Sequence, residues 1–350
     1  MIRAWCYYLP LLCLLSSTSV QALGLLDAYD LALRNDPTFQ AAIKERDAGE
    51  ENRAIGRAGL LPNLSWSYNN SRNQSEVTQE TVRGDVTNDR DYRSYASTLT
   101  LQQPLLDYEA YARYRQGSAQ ALFSDERFRG KSQELAVRLL SAYSQALLAQ
   151  ERIELSRAQK RAYAERLQLN ERLLKGGEGT RTDVLETQAR LSLALAQEIE
   201  AQDQQDAALR ELQAIVGEPL QIDELDPLTR QFQIQPLLPN RFDSWRDLAM
   251  ANNPDLASQQ QALRVAEYEV ERKRAGHLPK VSLYASSRQT SSDSESSYNQ
   301  KYDTNTVGIQ VSLPLFAGGS VSASTRQAAS QLSQAQFELD AKTATTLNEL

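Results

Sequence analysis

Residues able to bind a metal or act as a nucleophile are few in this sequence. Its 350 residues include two cysteines, Cys6 and Cys13, and one histidine, His277. Both cysteines fall in the first 22 residues, so the rest of the chain offers no nitrogen-and-sulfur metal site. His277 takes the place of Leu60 in an internal repeat described below, which indicates a helix end. No nucleophile elbow or triad partner is present, so the sequence argues against an enzyme and predicts no cofactor.

The charged residues do not suggest a polyanionic partner. The formal net charge is −7, which argues against nucleic acid. Aspartates and glutamates lie singly among arginines and lysines on predicted helix faces. This pattern is typical of solvated surface.

One glycine-rich stretch could be taken for a phosphate loop. Gly176-Gly177-Glu178-Gly179 precedes Thr180-Arg181-Thr182-Asp183. The stretch lacks the GxxxxGK[ST] order and a preceding strand, so that interpretation is weak. Glycines that end one helix, followed by threonine and aspartate that start another, are typical of a tight helical hairpin. The sequence predicts this hairpin at 176–181.

The hairpin joins two long predicted helices, 107–175 and 182–216. The first contains no proline and spans about 104 Å at 1.5 Å per residue. Small and apolar residues repeat every seven positions from Leu135 to Leu174, which predicts packing against other helices. Many of these residues are alanines, which favours a wall of helices over a two-stranded zipper.

Two proline-containing junctions separate predicted helices from predicted strands. Apolar and polar residues alternate strictly after Leu61-Pro62 and again after Leu278-Pro279. We predict strands at 63–75, 92–104, 280–290 and 304–314, with polar loops at 75–89 and 290–303 and with junctions at Pro62, Pro104, Pro279 and Pro314. Such alternation also fits a soluble sheet. The hydroxyl- and amide-rich second face favours a barrel in a membrane.

The chain is internally duplicated. Pro37 and Pro62 recur as Pro254 and Pro279, at a constant offset of 217 residues. The predicted organisation is a first repeat at 23–217, a linker at 218–244 and a second repeat at 245–350. Only 36 residues follow Pro314, so the second repeat is expected to be incomplete.

The N-terminus has the pattern of a secretory signal. A short basic start, an apolar stretch and small residues before Leu23 predict a signal peptide at 1–22. The apolar stretch is short for a membrane anchor. Lipid attachment at Cys13 is a second alternative, but large leucines precede that cysteine.

Taken together, these motifs resemble the TolC family of outer-membrane export channels, most closely the outer-membrane component of a type I system that secretes proteases. The resemblance covers the whole chain after the signal. It rests on Asn35-Asp36-Pro37, Asn252-Asn253-Pro254, Pro104-Leu105-Leu106, Pro314 to Gly319, GEGTRTDVLETQARL at 177–191, and Leu212 to Gly217.

The resemblance implies a fold that is mainly α with β. A long α-helical barrel would continue into a transmembrane β-barrel, in which each subunit of a homotrimer gives four of twelve strands. It implies an outer-membrane channel of a Gram-negative bacterium that extends into the periplasm. The implied partners are a periplasmic adaptor protein, an inner-membrane ABC transporter, the secreted protein in transit and outer-membrane lipid. A periplasmic coiled-coil adaptor and a small-molecule efflux channel are the alternatives.

The resemblance also implies roles at the hairpin. Thr182 and Asp183 match the periplasmic gate, where polar links between neighbouring hairpins close the pore. Asp183 has a second interpretation as a residue that favours the start of the returning helix. The turn residues, Gly176, Gly177, Glu178, Gly179 and Thr180, would face the adaptor.

Overall fold

The structure is a computed structural model that describes residues 22–227, 235–236, 238–294 and 297–350. The predicted signal peptide lies outside the described residues except for Ala22, and part of the predicted linker does too. The described chain is mainly helical and contains a four-stranded sheet, in agreement with the predicted fold class.

The elements alternate between helices and strands twice. They are α1 Leu25–Asn35, α2 Pro37–Ala58, β1 Asn63–Thr81, β2 Gly84–Leu106, α3 Tyr108–Gly176, α4 Arg181–Val216, α5 Phe242–Asn252, α6 Pro254–Arg274, β3 Lys280–Ser294, β4 Ser297–Ser312 and α7 Ser320–Asn348. Short 3₁₀ turns occur at Ile222–Glu224 and at Ala275–His277.

The strands extend further than the sequence pattern indicates. Residues 75–89, predicted as a loop, continue β1 and β2 in one unbroken antiparallel ladder, which closes at Thr81 and Gly84. The described residues of the second predicted loop, 290–294 and 297–303, likewise belong to β3 and β4. The ladder is stabilised by backbone hydrogen bonds, which do not require apolar side chains, so apolar alternation marks only part of each strand.

The proline junctions differ from one another. Pro62 and Pro279 directly precede β1 and β3, where a residue without an N–H group costs no ladder bond. Pro104 lies inside β2, at a register shift between Pro104 and Leu106. Pro314 lies two residues after the end of β4.

The sheet has the antiparallel order β1-β2-β3-β4. Its register places Leu64, Trp66 and Tyr68 on the same face as Leu99 and Leu101. Pairing of β2 with β3 and of β3 with β4 continues this face through Leu283, Val307, Ile309 and Val311. These apolar side chains are exposed in the single chain.

The described residues form two compact units, which do not coincide with the two repeats. The first contains residues up to Gln40 together with Gln133–Gln235, and the second contains Ala41–Ser132 with Pro236–Leu350. The second unit holds strands of both repeats because β2 of the first repeat pairs with β3 of the second.

In the first unit, the core lies between α3 and its neighbours. Leu135 and Leu139 of α3 and Leu212 and Val216 of α4 are almost fully buried. Further along α4, buried residues recur every seven positions, and most of them are small: Thr187, Ala194, Ala201, Ala208 and Ile215. This spacing keeps one narrow face of α4 toward its partner.

Two acidic side chains are buried, so the prediction that the carboxylates lie on solvated surface is wrong for them. Asp36 is buried and accepts hydrogen bonds from Arg138 and from the Thr38 N–H group. Glu198 is also buried, and it pairs with Lys160 at 2.5 Å and Arg157 at 3.5 Å. A buried carboxylate needs such partners because its desolvation is costly.

In the second unit, α2 and α3 approach closely through glycines. A Cβ atom built on Gly117 would lie 2.2 Å from the Asn52 carbonyl oxygen. A Cβ atom on Gly56 would lie 2.8 Å from the Arg113 carbonyl oxygen. Backbone atoms on both sides leave no flexible side chain that could move aside.

We expect Gly117→Ala to destabilise the protein by about 1–3 kcal/mol, the usual cost of overpacking. The matched control is Gly176→Ala, also on α3, whose added Cβ would meet nothing within 4 Å. Thermal unfolding followed by circular dichroism in detergent measures both variants. Equal melting temperatures for the two would contradict close packing at Gly117.

Candidate functional site: the α3–α4 hairpin

The hairpin begins where α3 ends at Gly176. Gly177 adopts a left-handed conformation with φ of +80°. The N–H group of Gly177 donates to the Leu174 carbonyl, and those of Glu178 and Gly179 donate to the Leu173 carbonyl. These bonds satisfy the carbonyls that an α-helix leaves free at its end.

The next helix begins with a reciprocal capping box. Thr180 is the N-cap of α4, and its Oγ1 accepts a hydrogen bond from the Asp183 N–H group at 3.1 Å. The Asp183 carboxylate accepts hydrogen bonds from the Thr180 hydroxyl and from the Thr180 N–H group. Asp183 therefore fixes the start of α4, as the second interpretation of this residue expects.

These hydrogen bonds favour the charged form of Asp183. The Thr180 hydroxyl, then the Thr180 N–H group, and at longer range Arg166 hold the pKa of Asp183 below its usual value. The carboxylate is therefore ionised at neutral pH. Thr182 and Asp183 both lie on the exposed surface of the hairpin.

The side chain of Asn170, within the seven-residue repeat of α3, connects the two arms of the hairpin. The Asn170 side-chain amide of α3 donates to Thr187 Oγ1 at 2.8 Å and to the Asp183 carbonyl at 3.3 Å. The Thr187 hydroxyl donates to the same carbonyl at 2.7 Å. A polar asparagine among apolar seam positions is the signal that could have identified this link.

A polar cavity of about 290 Å³ lies between the arms, beside the capping box. Two arginines and two carboxylates are among its lining residues: Tyr163, Arg166, Asn170, Asp183, Glu186, Thr187 and Arg190. Glu186 pairs with Arg190 at 2.7 Å, one turn apart on α4. This surface combines opposite charges with hydrogen-bonding groups and is suited to polar links with another protein surface.

Among the described residues, no helix carries an apolar stretch long enough to cross a bilayer. Within the same ranges, histidine, cysteine and acidic residues form no group of three or more that could hold a metal ion.

Curated relatives carry names related to protein secretion. The chain is 60% identical to the alkaline protease secretion protein AprF of Pseudomonas aeruginosa over 329 residues, which cover 94% of this chain and 68% of AprF. It is 53% identical to the proteases secretion protein PrtF of Dickeya chrysanthemi over 337 residues, which cover 96% of this chain and 73% of PrtF.

Solved structures share the fold at lower sequence identity. The Campylobacter jejuni CmeC outer membrane channel superposes with a TM-score of 0.75 at 17% identity, covering 92% of this chain and 68% of CmeC. The family model described as outer membrane efflux protein matches residues 28–218 and 245–350. The predicted family is thereby confirmed: the chain belongs to the outer membrane efflux protein family, which includes TolC, and is a protein of the Gram-negative outer membrane.

Proposed function

We propose that the protein is the outer-membrane channel of a type I secretion system that exports a protease. The observation that carries this proposal is the 60% identity to a protein named for alkaline protease secretion, which extends over 94% of the chain. The polar and apolar faces of the sheet support it, because a membrane barrel needs lipid on one face and water on the other.

The proposed assembly is a homotrimer with a shared barrel. In the single chain, β1 and β4 are the edges of the sheet, and their outer backbone groups need partners inside a membrane. Pairing β4 of one subunit with β1 of the next would close the sheet and remove both edges. The exposed apolar side chains would then contact outer-membrane lipid.

The proposed partners meet the protein at the hairpin. The turn from Gly176 to Thr180 would contact a periplasmic adaptor, which in turn binds an inner-membrane ABC transporter. The capping box and the Asn170 link support this role because they give the turn a fixed conformation to present. Thr182 and Asp183 would form the gate by polar links to a neighbouring subunit.

The secretion role is tested by deleting the gene and measuring proteases in the culture medium. We expect the deletion to retain protease inside the cell and the wild-type gene to restore its secretion. If secretion continued while the cells lost resistance to organic solvents or drugs, a small-molecule efflux role would replace the proposal. Recovery of the protein in the soluble periplasm would instead favour an adaptor.

The gate is tested by single-channel recording in planar bilayers. We expect Asp183→Ala to increase the conductance of the resting channel, because a carboxylate that links neighbouring hairpins is lost. Asp203→Ala, an exposed carboxylate on the same helix, is the control for the change in charge and should leave conductance unchanged.

A further variant separates the gate from the helix cap. Thr180→Ala removes the cap and keeps the Asp183 carboxylate. A conductance of Asp183→Ala equal to wild type would reject the gate. An equal increase in Thr180→Ala and Asp183→Ala would assign the effect to hairpin order, not to a link made by Asp183.

The capping box predicts a pH dependence of the hairpin. Folding lowers the pKa of Asp183. The ionised carboxylate therefore stabilises the folded hairpin at pH values above the unfolded pKa of about 3.9, and this stabilisation is lost as the pH falls through the folded pKa. We expect amide exchange in the first turn of α4, corrected for intrinsic rates, to accelerate below about pH 4 in the wild type. In Asp183→Asn this acceleration should be absent. An acceleration of the same size in the variant would show that another group causes it.

A further inference from the structure

The four strands distribute their charges unequally between the two faces of the sheet. Side chains of a strand alternate between faces, and the register joins odd-numbered residues of β1 to even-numbered residues of β2, β3 and β4. We call this set the polar face. The hydrogen bond between the Ser71 and Ser94 hydroxyls, at 2.9 Å, confirms that these residues share it.

The polar face contains hydroxyl and amide side chains and has no carboxylate among the residues that the structure describes. Examples are Ser65, Ser67 and Asn69 on β1 and Thr98 and Thr100 on β2. Among the strand residues whose side chains the structure describes, the carboxylates project from the opposite face: Glu76, Glu80, Asp85, Asp89, Asp91 and Asp303.

Arg288 is the cation in the middle of this polar face. Its register neighbours are Thr98 on β2 and Thr304 on β4. Two other cations lie on the face, Arg90 in the extension of β2 and Lys280 at the start of β3. Lys280 is neutralised by Glu109 at 2.6 Å and Asp107 at 3.7 Å.

Arg288 has no such compensation. Within the described part of the chain, no carboxylate lies within ion-pair distance of Arg288, and its side chain is exposed. A guanidinium stays protonated at any physiological pH and offers five N–H donors. It therefore contributes a full positive charge to a surface that is otherwise uncharged here.

The surroundings of Arg288 supply further hydrogen-bonding groups. A cavity of about 320 Å³ on the polar face is lined by Arg288 together with Asn69, Ser71, Ser94, Thr290 and Tyr302. Hydroxyl and amide groups can donate hydrogen bonds to an anion without repelling it. A cationic side chain would find no carboxylate partner on this face.

We propose that Arg288 makes the middle of the polar face a binding surface for anionic groups, so that carboxylates and other anions passing along it are favoured over cations. The inference rests on the proposed channel, in which this face would line the water-filled interior. Three subunits would then place three copies of Arg288 around one pore, where like charges focus the potential.

The local potential is measured with one introduced cysteine, which avoids any dependence on the gate. The sequence has no cysteine after Cys13, so Thr290→Cys supplies a single thiol in the cavity beside Arg288, and wild type is the blank. Outer membranes containing the full chain are treated with a sulfonate-bearing or a trimethylammonium-bearing methanethiosulfonate. The ratio of the two modification rates reports the potential at that thiol.

We expect Arg288→Gln to lower the anionic-to-cationic rate ratio about three-fold at 0.1 M salt, as one charge about 7 Å away would. Arg288→Lys should retain the ratio, and high salt should remove the difference. Arg93→Gln is the matched control, because Arg93 lies on the opposite face of β2 and pairs in register with Arg72. Equal ratios with and without Arg288 would overturn the inference.

A second cysteine position separates this result from failure of the channel. Ile309→Cys lies on the apolar face and should resist both charged reagents if that face contacts lipid. If the thiol at 290 reacted no faster than the thiol at 309, the polar face would not line water and the proposed channel would fail. Rapid reaction at 290 with a ratio unaffected by Arg288→Gln would reject only the charge selection.

Discussion

The pairing of β2 with β3 is the constraint on which the membrane part of the structure depends. It joins the hairpin of the first repeat to the hairpin of the second and sets which side chains share a face. A slip of one residue would move every side chain of one hairpin to the other side of the sheet. The apolar face would then be interrupted by serines, and Arg288 would share a face with the carboxylates of β1 and β2. The bulge near Pro104 lies at the end of this pairing and leaves the central register intact.

Close packing of small residues has the corresponding role in the helices. Gly56 and Gly117 bring the backbones of α2 and α3 into contact, while alanines predominate in the α4 seam. Such contacts gain little from the hydrophobic effect per residue, since an alanine buries little area. Their value lies in shape, because small side chains allow long helices to remain in contact over many turns. The buried Glu198 with its two cationic partners adds polar specificity within one seam.

Sequence reasoning identified the features that depend on local pattern. Pro62 and Pro279 precede strands, the glycines at 176–179 end α3, and the seven-residue repeat from Leu135 to Leu174 lies within α3. Residues 75–89 were wrongly predicted as a loop, because their β-structure comes from cross-strand hydrogen bonds, which leave no signature in side-chain polarity. The burial of Asp36 could not be predicted either, since its partner Arg138 lies 102 residues away.

At the hairpin, the sequence predicted where α4 starts, but it did not predict the hydrogen bond between Asn170 of α3 and Thr187 of α4. Asp183 follows Thr180 by three residues, a spacing that signals a capping box. Asn170 could be placed on the seam, but its choice of Thr187 as a partner depends on how α3 and α4 align after the turn. The unequal distribution of charge between the two faces of the sheet also depends on how distant segments align. Each strand shows its own alternation, and only the register reveals that no described carboxylate shares a face with Arg288.

The two repeats carry one motif with a different side chain at its middle position, and both side chains cap the following helix. In the first, Asp36 of Asn35-Asp36-Pro37 is buried and its charge is matched by Arg138. In the second, Asn253 takes this place, and its Oδ1 accepts hydrogen bonds from the N–H groups of Asp255 and Leu256 at 2.8 and 3.2 Å. A neutral amide is sufficient to cap α6, whereas the buried carboxylate of Asp36 needs a cationic partner because its desolvation is costly. The duplication thus conserved the backbone turn before the proline, and each copy adapted the side chain to its own surroundings.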